Sequence, residues 1–174
     1  MRKYLFSAML IFTIMLTGCS SNLPSDNSNN SPKDNNETKK TTKMAEIYSL
    51  ALDSMMSIDE GLNGDMKYIA INTSSLKDAT EEDKKYILKY FEKYKVQVME
   101  GSFESLNAQG MVKEGNYIEG VLLKVENINF SFSNKVEVEG SKFRSGLGAI
   151  GIKTKLKNKD GKWIVESADM LWIS

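Results

Sequence analysis

The sequence predicts an α+β domain in which N-terminal helices pack on a curved, bulged, four- to five-stranded antiparallel sheet. Three observations carry this. Apolar residues recur at helical spacing between Met44 and Tyr94, they recur at every second position from about residue 117, and turn residues divide that second region into long runs. Helices first and strands afterwards is the order of an α+β layer, not of an alternating parallel fold.

Met44 to Asn63 reads as the first helix. Ile47, Leu50, Ala51, Met55 and Ile58 share one face, and Gly61 and Gly64 stop it. Tyr68 to Ile71 is a short strand. Thr80 caps a second helix over 81–94, with Glu81, Glu82 and Asp83 in its first turn and Lys93 and Lys95 at its end, each matching the helix dipole. Ile87, Leu88, Phe91 and Tyr94 form its buried face. Val96 to Met99 reads as a strand. Ser102 caps a short helix over 103–109, closed by Gly110.

Val121, Leu123 and Val125 then point one way along a strand. Ile128, Phe130 and Phe132 are expected on the same inner face, yet their parity is opposite. A β-bulge near Glu126-Asn127 reconciles the two sets. After a tight turn at Ser133-Asn134, Val136 and Val138 mark the next strand. Ile150, Ile152, Thr154 and Leu156 mark a third, with Lys153, Lys155 and Lys157 on its other face. Asn158-Lys159-Asp160-Gly161 is a hairpin turn, and Trp163 to Ile173 is the last strand.

The N-terminus has a different organisation. Met1-Arg2-Lys3 is a short positive segment, followed by an apolar run from Tyr4 to Leu16 that is too short to span a bilayer comfortably. Leu16-Thr17-Gly18-Cys19 resembles the bacterial lipobox, in which a leucine, two small residues and a cysteine mark lipidation and cleavage. The resemblance implies a bacterial lipoprotein: a signal peptide over 1–18, acyl chains on Cys19, and a mature protein anchored at the extracytoplasmic face of the cell membrane. Residues 20–43 contain one large apolar residue, Leu23, and both prolines of the chain, Pro24 and Pro32. Such a stretch buries too little to order itself, so 19–43 is expected to be a lipidated cysteine and disordered tether, with a coil reach of roughly 25–30 Å. The single α+β domain then occupies 44–174.

The order of helices and a bulged antiparallel meander resembles the nuclear-transport-factor-two-like and cystatin-like α+β rolls. That resemblance rests on element order and the final Trp-containing strand. It implies a pocket between sheet and helices, in folds that host both enzymes and binding subunits.

Composition narrows the chemistry. The chain has 174 residues, no histidine and one cysteine. Without histidine there is no Ser-His-Asp or Cys-His catalysis and no ordinary zinc site. Without a second cysteine there is no internal disulfide. Loss of residues 1–18 leaves 21 basic and 23 acidic side chains, a balance that argues against a nucleic-acid partner. No cofactor or metal is expected, and no enzyme activity.

The candidate site residues outside Cys19 are Lys142, Arg144, Trp163, Trp172 and Asp169. Arg144 is the only arginine of the mature chain, and its planar fork suits a carboxylate or phosphate. Lys142 beside it adds charge. Trp163 and Trp172 could face a flat ligand or fill the core. Asp169, between Ala168 and Met170, is the carboxylate to test for acid–base work, and Asp53, Asp59 and Glu60 also sit among apolar residues. Gly146-x-Gly148-x-x-Gly151 matches the dinucleotide fingerprint in form, but the expected following element is a strand, not the helix that fingerprint needs. Lys153, Lys155, Lys157 and Lys159 form a basic comb, either solvated or facing an anionic surface. The function expected is a ligand- or protein-binding module at the membrane. The alternatives are an accessory subunit of an envelope or transport complex, or a small-pocket enzyme using carboxylates.

Overall fold

A computed structural model describes residues 42–174. The expected signal peptide, Cys19 and nearly all of the tether lie outside the described residues. The elements in chain order are α1 (Lys43–Met56), β1 (Tyr68–Ile71), α2 (Glu81–Phe91), β2 (Gln97–Glu100), α3 (Phe103–Ala108), β3 (Val112–Lys113), β4 (Tyr117–Ile118), β5 (Val121–Phe132), β6 (Lys135–Ser145), β7 (Gly148–Lys159) and β8 (Lys162–Ile173).

N-terminal helices pack on a largely antiparallel, mixed sheet of six strands ordered β2-β1-β5-β6-β7-β8. The sequence suggested four or five strands in one antiparallel sheet. The difference comes from β1 and β2, which pair in parallel with each other and join β5 in parallel. α2 is the crossover between them, as parallel neighbours require. β5 to β8 form the expected meander. The bulge falls where parity demanded it, with the pairing slipping between Val125 and Asn127.

Helix α1 begins at Thr42, whose hydroxyl accepts from the Ala45 amide. Its Ile47, Tyr48, Ala51, Leu52 and Met55 are fully buried against Val121, Leu123, Val136, Val138, Ile150, Ile152 and Leu156 of the sheet. Each such side chain contributes ~1.5–3 kcal/mol when taken from water. This is the inner face. Gly140 lies under α1, and a Cβ there would stand 2.4 Å from Met55 Cε. On the opposite, outer face, α3 and the β3–β4 pair cover the β1–β5–β6 end, through Tyr68, Ala70, Leu106, Ile118 and Leu122, with Phe103 edge-on to Phe143 of β6.

Two expectations need correction. α1 ends at Met56, not Asn63, and a short 3-10 turn over Glu60–Asn63 follows. The chain breaks at Asp59, which adopts a positive φ of 49°. Phe130 and Phe132 are not in the core: they are 44% and 72% exposed. β5 runs past the first residue of α1, so no helix covers its tip. Only Ile128 of that set is half-buried.

Candidate functional site

Two charged side chains of the described residues are buried, Asp83 in the cap of α2 and Lys142. Lys142 stands on the inner face of β6 and is 0% exposed. Its ammonium donates to the carbonyl oxygens of Ile58 at 2.5 Å and Asp59 at 3.0 Å, and to Asn63 Oδ1 at 3.1 Å. The Met56 carbonyl is 3.5 Å away. A cation is thus placed just beyond the C-terminal end of α1, where the helix dipole is negative. Burial pushes this ammonium down to about 8, while Asp59 and Glu60 act in the opposite sense. Arg144, two residues on, donates from Nη1 to the Leu62 carbonyl at 2.8 Å and from Nη2 to the Tyr117 hydroxyl at 3.2 Å. Lys142 and Arg144 together pin the turn after α1. Their hydrogen bonds run to oxygens of the chain itself.

A second polar cluster joins α1 to the end of α2. Asp53 Oδ1 accepts from the Tyr94 hydroxyl at 2.6 Å and pairs with the Lys93 ammonium at 2.6 Å, and Oδ2 accepts from Tyr90 at 3.1 Å. Lys93 Nζ lies 4.1 Å from the Tyr90 ring centroid and 5.4 Å from that of Tyr94. Burial and then the Asp53 carboxylate hold the Tyr94 phenol well above its usual range. Burial disfavours the Lys93 ammonium, but Asp53 and Tyr90 outweigh it and raise its pKa. Two aromatic rings and a carboxylate make a cation site, here filled from within the chain. The cluster borders an open cleft of about 570 Å³ between α1 and β8, lined also by Leu50, Ser54, Ser57 and Val165. Sequence reading noted Asp53 alone. The signal for its partners was present, since Tyr90, Lys93 and Tyr94 stand three and four apart on one face.

The remaining candidates lie on β8, and the structure separates them. Trp163 is 5% exposed and belongs to the core. Its amide donates to Glu46 Oε1 of α1 at 3.0 Å. Trp172 is half exposed on the outer face, with its indole over Gly151, where a Cβ would meet Nε1 at 2.0 Å. Asp169 is exposed on that same face, opposite Lys153, and accepts from the Ser167 hydroxyl at 3.0 Å. The structure therefore does not bring the five residues into one site.

The glycines at 146, 148 and 151 lie in the β6–β7 turn and in β7, and no helix follows them. The lysine comb is partly neutralised, for Lys153 reaches Glu139 at 2.8 Å and Glu137 at 3.9 Å. Among the described residues, no group of three or more Cys, Asp or Glu side chains is placed to hold a metal, and no helix is long and apolar enough to cross a membrane.

What sequence reading missed is the exposure of β8. It is an edge strand, paired only with β7. Ten large apolar side chains are exposed among the described residues, and six of them are in this strand: Ile164, Val165, Met170, Leu171, Trp172 and Ile173. By register, Val165, Met170 and Ile173 follow the inner face, and Ile164 and Trp172 the outer. Two slips in pairing leave Glu166 and Leu171 without partners on β7. Bulges of this kind spoil the regular ladder that another strand would need.

No protein-family model and no curated protein matches the chain. Among solved structures, it is similar to a de novo designed protein with a curved β-sheet, at a TM-score of 0.30 and 12% identity, covering 71% of this chain and 94% of that one.

Proposed function

We propose that this chain is a membrane-anchored extracytoplasmic lipoprotein whose domain is a protein-binding module, docking an envelope protein through the side chains of β8. The anchor rests on the positive start, the apolar run and Leu16-Thr17-Gly18-Cys19. A helix laid across a bulged antiparallel meander supports the likeness to nuclear-transport-factor-two-like and cystatin-like rolls. The parallel β1–β2 extension is an addition to that pattern.

The docking half is carried by one observation: six of the ten exposed large apolar side chains occupy a single edge strand of twelve residues. Scattered exposed apolar residues are ordinary, whereas six on one strand, four of them consecutive from Met170 to Ile173, mark an interaction surface. The bulges at Glu166 and Leu171 favour contact by side chains over addition of a strand.

Two experiments test the two halves. Mass spectrometry of the native protein should find an acylated Cys19 at the N-terminus, and residues 1–18 still attached would refute the anchor. A photo-crosslinking amino acid at Met170 should give one discrete protein adduct in intact cells, with none from the same probe at exposed Glu82. Equal labelling at both positions, or none at either, would refute the docking strand. An adduct of twice the chain mass would make the partner a second copy.

A further inference from the structure

Trp172 stands apart from the apolar residues beside it on β8. By register Met170 and Ile173 follow the inner face, while Trp172 follows the outer one, where it is 48% exposed. A Cβ on Gly151 would stand 2.0 Å from its Nε1 and 2.4 and 2.5 Å from Cε2 and Cδ1, the two carbons bonded to that nitrogen. Three adjoining ring atoms at such even distances put that point over the face of the ring, not at its edge. The indole therefore lies flat on the sheet, one face down on Gly151 and the other toward solvent.

The surroundings of that free face are polar and nearly balanced in charge. One strand over from Gly151 is Ser141, and beyond it Lys124, both on the outer face. Glu126 ties these two together, pairing with the Lys124 ammonium at 2.9 Å and accepting from the Ser141 hydroxyl at 3.1 Å. On the next outer level Lys153 pairs with Glu139 at 2.8 Å and is the register partner of Asp169. Ser141 also lines an open cleft of about 340 Å³ with Phe103, Asn116, Leu122, Lys124 and Phe143. Phe103 stands edge-on to Phe143 there, their ring centroids 5.4 Å apart. Cleft and indole thus adjoin across Ser141 and Gly151, where the side chains are smallest.

We propose that this outer face binds a β-linked glycan, with one sugar ring on the free face of Trp172 and the chain continuing over Ser141 into the Phe103–Phe143 cleft. A pyranose with equatorial substituents has an apolar C–H face that stacks on an indole, and a rim of hydroxyls that needs donors and acceptors. The patch supplies both. Lys124 and Lys153 are each paired with an acid of the same face. The patch therefore offers hydrogen bonds without the excess charge that would select a phosphate or a basic peptide. A tryptophan that anchors a protein partner is ringed by apolar contacts, and the nearby Met170 and Ile173 turn to the inner face instead. From β8 to β5 is three strand spacings, ~14 Å, the length of a short oligosaccharide. This site goes beyond the protein docking proposed for β8 and does not depend on it.

The test is calorimetric titration of the full-length chain with the β-linked tetramers of N-acetylglucosamine and of glucose, and with maltotetraose as the α-linked control. At least one β-linked tetramer should bind, and maltotetraose should bind more weakly. Trp172→Ala should weaken binding about tenfold or more, and Trp172→Phe, which keeps an aromatic face, should recover most of it. Gly151→Ala lifts the indole off the sheet and should weaken binding as well. Trp163 is buried in the core, so unchanged emission from it in Trp172→Ala shows that the variant is folded. No binding of either β-linked tetramer, or binding that Trp172→Ala leaves unchanged, would overturn the glycan site. Maltotetraose bound as tightly as the β-linked tetramers would overturn the extended path across Ser141. The crosslink from Met170 is a separate readout, so the docking strand and the glycan face can fail independently.

Discussion

β6 and β8 flank the same strand, β7, and use their apolar residues differently. In β6 the inner valines, Val136 and Val138, are 1% and 0% exposed under α1. In β8 the residues that follow the same face, Val165, Met170 and Ile173, are 37%, 46% and 66% exposed. β8 also places Ile164 and Trp172 outward, at the levels where β6 places Lys135 and Ser141. β8 carries seven large apolar side chains, as many as β5, yet one of them is buried against four in β5. Only Trp163, beside the first turn of α1, is fully taken up. Burial in this fold is set by where α1 lies, and the composition of β8 exceeds what that position can cover.

If the seam between α1 and β6 carries the stability, its buried cation should be the costliest residue to lose. Lys142→Ala removes three hydrogen bonds of 2.5 to 3.1 Å and leaves a cavity beneath the end of α1. Unsatisfied carbonyls and lost volume together predict a loss of about 3 kcal/mol or more in urea unfolding. Lys142→Met keeps the volume and should lose about half as much. A loss below ~1 kcal/mol for Lys142→Ala would mean the turn after α1 is held from elsewhere.

The same residue gives the seam a pH signature. Lys142 is lowered to about 8 in the fold and returns to ~10.4 in the unfolded chain. Between those values the unfolded chain binds more protons, so stability should rise with pH from 8 toward 10. Above ~10 the sign reverses. Burial, and secondarily Asp78, pushes the Tyr48 phenol up to about 12, so the unfolded chain ionises first and stability falls. Chemical denaturation against pH should show a maximum near 10, and Lys142→Met should abolish the rise while keeping the fall. A wild-type curve flat from pH 8 to 10 would contradict the lowered ammonium.

Much of this architecture was legible because local chemistry and tertiary demand agreed. Thr80 and Asp83 form the reciprocal cap of α2, the parity switch of β5 required its bulge, and Asp160-Gly161 supplies the positive φ values of its hairpin. Other features depend on what lies overhead, which a periodic pattern does not encode. Phe130 and Phe132 continue a core pattern past the point where α1 begins. Lys142 occupies an inward position of β6 and is buried only because four oxygen atoms of the turn after α1 converge there. Arg144 drew attention because arginine is rare in this chain, yet it is spent on Leu62 and Tyr117. The Trp163–Ile173 run reads as an ordinary core strand, and nothing in its own sequence says that it lies at an edge.

The smallest effect expected is the one that separates the two strands most sharply. Ile164→Ser and Leu171→Ser change side chains that are 44% and 49% exposed. Each should alter unfolding free energy by no more than ~0.5 kcal/mol, as surface substitutions do. Val138→Ser, one strand beyond β7, should cost ~2 kcal/mol or more, since it puts a hydroxyl where no partner waits. The same two serines should abolish the crosslink from position 170. Stability retained with crosslinking lost would mark β8 as a surface kept for contact. Stability lost in step with crosslinking would instead make Ile164 and Leu171 part of the core, and the contrast between the two strands would then be one of degree.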